Sequence, residues 1–125
     1  MLCMPAASSE QTIRQHIRLA CSIGTCRLFR NNTGTLRDIN GRPVTFGLCK
    51  GSADLIGWRS VTITPAMVGQ TLAIFTSIEV KSSRGRVNPE QQQWLQAVAA
   101  AGGIAGVARS VGEAMDLLRI TTEEC

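Results

Sequence analysis

The sequence predicts a mixed α/β fold, one sheet flanked by helices, with elements in the order α-β-β-β-β-α-β-α. Three observations carry that expectation. Two segments with capping residues and a 3.6-residue apolar period bracket the chain, several short stretches between them alternate with the two-residue period of strands, and a late helix stands between the longest strand and one further strand. At 125 residues the chain has the length of a single domain, read here as 1–125 with a loose tail at 1–7.

The first helix is expected over about residues 9–23. "SSEQTIRQHIRLACSIG" opens with Ser8 and Gln11 in capping-box spacing, aligns Ile13, Ile17, Ala20 and Cys21 on one stripe, and closes at Gly24. "TCRLFRNN" then alternates as a strand, "TGTLRDINGRP" supplies turn chemistry, and "VTFGL" reads as a second short strand. "ADLIGW" follows as a third strand and "TLAIFTSIEVK" as the fourth and longest. The second helix has the clearest limits: Asn88 as cap, Pro89 in the first position, and Gly102 and Gly103 after "EQQQWLQAVAAA", with Trp94, Leu95, Val98 and Ala99 turned inward. "GIAGVAR" is a strand of small residues, and "SVGEAMDLLRI" starts a last helix with Ser110 and Glu113 as a capping box.

Composition narrows the class. Hydrophobic residues at 44% and charged ones at 18% are globular values, and no apolar run reaches the roughly 18 to 20 residues of a membrane span. The beginning "MLCMPAASSE" lacks the pattern of a secretory signal, so a cytoplasmic location and no membrane partner are expected. Five cysteines without a CxxC pair and a single histidine, His16, do not form a zinc pattern. Cys21 and Cys26 read as small buried hydrophobes, a redox or metal pair being the alternative. The net charge is +4, and eleven of the thirteen basic residues are arginine, whose planar fork suits phosphate. That bias favours a nucleic-acid partner, although composition alone allows an arginine-rich surface without that purpose.

The chemistry centres on "AIFTSIEVKSSRGRVNPEQQQWL", residues 73–95. In an extended strand Phe75, Ser77, Glu79 and Lys81 share one face, so Glu79 and Lys81 project side by side. Asp54 begins the preceding strand, and a hairpin from "ADLIGW" to "TLAIFTSIEVK" would bring its carboxylate beside that of Glu79. Two carboxylates at that distance repel unless a divalent cation lies between them, and Mg2+ is the natural candidate, with oxygen ligands completed by water and a substrate phosphate. Lys81, an ammonium beside the cation, would orient the attacking water and stabilise charge building on a phosphate. The same three residues also read as an ion-pair cluster at a sheet edge.

Two helical residues add to the set. Glu10 falls on the apolar stripe of the first helix, three residues before Ile13, and can reach the same site; it also reads as a first-turn glutamate favoured by the helix dipole. Gln91, three before Trp94, points inward near the end of the Glu79 strand and is also the reciprocal partner of Asn88 in a capping box.

Taken together, "SSEQTIRQHI", "RNNTG", "GSADLIGW" and "IEVKSSRGRVNPEQQQWL" resemble the PD-(D/E)XK nucleases with their restriction-endonuclease-like core, and most closely the VRR-NUC branch in its stand-alone phage and bacterial form. The similarity runs from Glu10 to about Ser110. It implies that Asp54, Glu79 and Glu10 are metal ligands, with the main-chain carbonyl of Val80 as a further ligand, and that Asp54, Glu79, Lys81 and Gln91 form the catalytic set. Ala53 stands where the motif's proline would precede the aspartate, which changes loop stiffness more than chemistry. Arg30, Asn31 and Asn32 match a family-like segment expected to support the site or contact phosphate, with turn chemistry as the alternative. Arg84 and Arg86, leaving the active strand, are candidates for DNA contact or solvated loop residues.

The function these residues imply is a divalent-metal-dependent endodeoxyribonuclease, using Mg2+ with Mn2+ as a substitute. The alternative is a catalytically silent DNA-binding module on the same fold, and an ion-pair-stabilised protein without a nucleic-acid role is a further one. Without a separate recognition domain, selection by DNA shape is expected over base readout, which suggests nicking or resolution of branched or four-way-junction DNA. A homodimer would pair two such sites for incision of both strands.

Overall fold

A computed structural model of the chain describes residues 9–119. The expected tail at 1–7, Cys3, Cys125 and the end of the last helix at Ile120 lie outside the described residues. The polypeptide divides between Val61 and Thr62 into two compact units.

In the first unit, α1 (Glu10–Cys21) is capped by Ser9, whose hydroxyl accepts from the Thr12 amide at 3.2 Å. The cap is thus one residue later than the expected Ser8, and Thr12 takes the place expected for Gln11. Glu10 in the first turn and Arg18 in the last complement the helix dipole. The face turned to the rest of the unit differs from expectation. Ile13 and Ile17 are 47% and 43% exposed, whereas Arg14 and Arg18 are half-buried. Cys21 is exposed and Cys26 half-buried, so of the two thiols only Cys26 contributes to packing.

Strand β1 (Cys26–Arg30) pairs antiparallel with β4 (Leu55–Arg59), matching Leu28 with Gly57 and Arg30 with Leu55. Gly57 is required here, because a Cβ at this position would run into the Arg27 carbonyl. Phe29 and Trp58, diagonal across the ladder, stack with ring centroids 5.2 Å apart. Between them lies a hairpin of β2 (Gly34–Arg37) and β3 (Pro43–Phe46). Residues 34–37 thus form a strand where the sequence suggests a turn. The turn chemistry is instead concentrated at 38–42, where the Asp38 carboxylate accepts from the amides of Asn40 and Arg42 and Gly41 takes a positive φ of 78°. Five strands therefore precede the second helix, not four.

The second unit is a β-α-β crossover followed by a helix. After a 3-10 turn at Pro65–Met67, β5 (Thr76–Val80) pairs in parallel with β6 (Ile104–Ala108), from Thr76 opposite Ile104 to Val80 opposite Ala108. The strand is shorter than the expected 71–81 because its partner has only five residues and begins directly after the helix-terminating glycines. Helix α2 (Pro89–Ala100) follows its sequence signals throughout: the Asn88 side chain accepts from the Gln91 amide at 2.8 Å, and Gly102 adopts a φ of 99° just beyond the end.

Leu95, Val98 and Ala108, the buried apolar residues of the described chain, form the core between α2 and β6. Ala99, expected to face inward, is exposed. Helix α3 (Val111–Leu118) packs on β6 at Gly106, where a Cβ would strike Leu117. Its cap is Ser110, as expected, but the Glu113 carboxylate reaches back to the amide of Arg109, one residue before the cap.

Within its own unit each strand has another partner than the expected hairpin would give it: "ADLIGW" pairs with β1 and "SIEVK" with β6. Among the described residues the strands make three two-stranded ladders, β1 with β4, β2 with β3 and β5 with β6, in place of one continuous mixed sheet.

Candidate active site

Each unit carries one half of the expected residue set. In the second unit, strand alternation puts Ser77 and Glu79 on the face covered by α2, where the Trp94 indole donates to the Ser77 hydroxyl at 2.6 Å. Two residues farther along the strand, Glu79 is held by its own side chain. Its Oε1 accepts from Gln91 Nε2 at 2.9 Å and lies 3.5 Å from Lys81 Nζ. Among the described residues Oε2 has no such partner, so the carboxylate is gripped on one oxygen and open on the other.

Gln91 resolves the two readings of its role by filling both. Its Oε1 accepts from the Asn88 amide at 3.1 Å, completing the capping box, while its Nε2 donates to Glu79. The cap fixes the orientation of the amide, and that orientation delivers a donor, never an acceptor, to the carboxylate. A helix start has thereby become the positioning device for a glutamate on a strand.

Val80 is available through its main chain. The Phe75 carbonyl accepts from Ile104 and the Lys81 amide donates to Ala108, so the odd-numbered residues direct their polar groups towards β6. Carbonyls alternate along a strand, which sets that of Val80 on the opposite edge, outside the ladder.

Past Lys81, the loop with Arg84 and Arg86 turns through a Ser82 carbonyl to Gly85 amide bond of 3.2 Å, and Arg84 and Arg86 are both exposed. The anchor of this loop is Arg109, which was not among the expected residues. From the end of β6 its Nη1 donates to the carbonyls of Ser82 and Gly85, the latter at 2.7 Å. These partners lie 24 and 27 residues away in sequence, so no local pattern signals them.

In the first unit, Asp54 stands immediately before β4. Its carbonyl accepts from the Asn31 amide at 2.8 Å, and its carboxylate, 60% exposed, has Arg14 Nε at 3.9 Å. Asn31 is the buried polar residue of the described chain. Its Nδ2 donates to the Ser52 hydroxyl at 2.7 Å and the Ala53 carbonyl at 2.9 Å, and its Oδ1 accepts from the Leu48 amide at 3.1 Å. Both amide hydrogens are engaged, which makes Asn31 the clamp of the loop leading to Asp54. Of the roles expected for the "RNNTG" segment, this geometry serves support of the site. Arg30 ends β1 and is exposed, as are Asn32 and Glu10.

Glu10 and Arg14, one turn apart, share a face of α1. Arg14 is a second residue that sequence reasoning passed over, although following the helical face of Glu10 for one more turn leads to it. Among the described residues no three His, Cys, Asp or Glu side chains gather into a metal cluster. The donors present at the expected positions, carboxylates and a carbonyl, are hard oxygens that suit magnesium, which keeps several waters and needs few protein ligands.

No curated protein and no solved structure matches the chain. A family profile described as VRR-NUC domain does match, over residues 42–112. That span includes Asp54, Glu79, Val80, Lys81, Arg84, Arg86 and Gln91 and leaves Glu10, Arg30 and Asn31 outside it. The match covers more than half of the sequence and contains the grip on Glu79: the chain belongs to the VRR-NUC domain family, a family of nuclease type.

Proposed function

We propose that the protein is a divalent-metal-dependent endonuclease acting on DNA. The observation that carries this reading is the arrangement at Glu79: a carboxylate with one oxygen held by Gln91 and Lys81, the other open, and the Val80 carbonyl beside it outside the ladder. A structural ion pair needs no second anchor from a helix cap. A ligand that must present one oxygen in one direction does.

Glu79 and the Val80 carbonyl in the second unit would be ligands of Mg2+ or Mn2+, and Asp54 and Glu10 in the first are the carboxylates that the resemblance adds. The bound cation would supply Lewis-acid polarisation of the phosphate and ease ionisation of water. Lys81 places a positive charge where negative charge develops on the phosphate and donates to the attacking water. Gln91 keeps Glu79 from rotating, and Asn31 keeps the Asp54 loop in place. Arg84 and Arg86 lie on an exposed loop suited to backbone phosphates, a mode of contact that reads no sequence.

We further assign preference for branched DNA and a homodimeric state, because one such site cuts one strand and a two-fold pair presents two. The experiment is nicking of supercoiled plasmid with magnesium, manganese, calcium or chelator, followed by duplex, single-stranded, flap and four-way-junction substrates. Cleavage in magnesium and none in chelator is expected. DNA binding without cleavage under any metal would support the silent-module alternative. Equal rates on junction and linear duplex would remove the branched preference, and a light-scattering mass of 13.4 kDa at assay concentration would remove the dimer.

A further inference from the structure

The first unit contains a cationic pocket that the metal-binding residues do not use. Helix α1 carries Gln11, Arg14, Gln15 and Arg18 on one face, as pairs three or four residues apart, and with Arg30 and Leu55 they line about 110 Å³. Arg30 and Leu55 are register partners in the β1–β4 ladder, so one wall is a paired strand edge. The volume is well below the roughly 300 to 1,000 Å³ of small-molecule sites and suits a single polar group.

Three arginines are among the residues that line this space, and no acidic residue is. Arg18 is oriented by Gln15, whose Oε1 accepts from its Nε at 3.3 Å and its Nη2 at 3.1 Å. Arg14 Nε is shielded from solvent without a hydrogen-bond partner, 3.9 Å from Asp54. Asp54 compensates Arg14, whereas Arg18 and Arg30 have no acidic residue in the lining, and guanidinium forks match the oxygens of phosphate. A helix needs no arginine on its inward face, and Ile13 and Ile17 were available for that face yet point elsewhere.

We propose that this pocket binds one phosphodiester of the DNA strand, near Asp54, through Arg18 and Arg30, with Arg14 left to its ion pair with Asp54. The assignment rests on the nuclease reading.

The test measures binding of a short labelled duplex to the full chain, with calcium in place of magnesium, for wild type and R18Q/R30Q. Because both arginines serve one phosphate, the slope of log affinity against log salt should fall by about 0.9 in the double variant. Wild type should then lose about 3.5-fold more affinity than the variant between about 50 and 200 mM salt. An unchanged slope, or a fall of about 1.8 showing a separate phosphate for each arginine, overturns the proposal.

Circular dichroism checks the fold, and R18M/R30M replaces the double variant if that one unfolds. A single neutral methylphosphonate walked along the strand gives a second readout. Wild type should lose affinity at one internal position to which the variant is indifferent, and a variant equally sensitive at every position overturns the assignment. Duplexes with and without a 5′-phosphate separate an internal from a terminal source, and a slope change confined to the phosphorylated duplex rules out the internal phosphodiester. Plasmid nicking by wild type tests the nuclease reading separately. Nicking with an unchanged slope removes the pocket alone, whereas a wild type that neither nicks nor binds removes both.

Discussion

The two units hold their acidic residues in opposite ways. Glu79 is gripped by its side chain, with Gln91 and Lys81 on one oxygen and 30% of the side chain exposed. Asp54 is gripped by its main chain and by the loop before it, through the buried Asn31, while its carboxylate is 60% exposed with a single arginine at 3.9 Å. A carboxylate fixed by its own oxygens is preorganised before any ligand arrives. One fixed only at its backbone keeps rotamer freedom, and the ligand sets its final direction. Substitutions around Glu79 should therefore change chemistry at little cost in stability, and those in the loop clamp before Asp54 should cost stability as well.

The largest effect should come from the Glu79 half. Lys81→Ala should lower plasmid nicking by about 10² to 10³-fold, the range for one transition-state donor, with circular dichroism and melting unchanged. Glu79→Gln should behave similarly, and a Lys81→Ala protein nicking at the wild-type rate would exclude Lys81 from the chemistry.

Next in size is the Asn31 clamp. Asn31→Ala removes the three side-chain hydrogen bonds of a buried residue, to Ser52, Ala53 and Leu48, at a cost of about 1 to 2 kcal/mol. Urea unfolding measures it. If the stability is unchanged, the loop before Asp54 is not held in the way described.

A smaller effect separates the two functions of Gln91. Gln91→Glu keeps an oxygen for the Asn88 amide but sets a second carboxylate against Glu79, so nicking should fall about tenfold, roughly 1.4 kcal/mol in the barrier, with α2 intact. Gln91→Ala should also weaken the helix start by about 0.5 to 1 kcal/mol. Equal nicking by both variants and wild type would reduce Gln91 to a cap.

The smallest effects belong to the loop beyond Lys81. Arg84→Ala with Arg86→Ala should make the salt dependence of duplex binding shallower by about 0.9 for each phosphate that these side chains neutralise. Arg109→Gln should leave global stability within about 0.5 kcal/mol while speeding amide exchange at Gly85, because it releases only the carbonyl anchors of that turn. Exchange at Gly85 equal to wild type would show that the turn holds itself.

Much of the Glu79 half was readable from the chain. Asn88, Pro89 and Gly102 delimit α2 within a residue, and the alternation through "SIEVK" sets Glu79 beside Lys81, since both depend on groups within four residues of each other. The same rules misplaced the α1 cap by one residue, because adjacent serines offer equivalent hydroxyls. They also absorbed β2 into a turn, because the Thr-Gly and Asn-Gly signals stand so close together.

What the sequence by itself determined is therefore local: where the helices begin and end, which strand residues share a face, and the family pattern carried by residues 42–112. What only the tertiary structure decided is which distant partners meet. "SIEVK" pairs in parallel with β6, Arg109 reaches back to the loop at Ser82, Arg14 rather than an apolar residue faces Asp54, and one glutamine serves a helix cap and a carboxylate at once. The physical reason is that periodicity and capping act over one or two turns, whereas the choice among strand partners turns on small differences between competing long-range pairings. Those differences are settled by the whole packed chain, at places such as Gly106 under Leu117, and no short stretch of residues contains them.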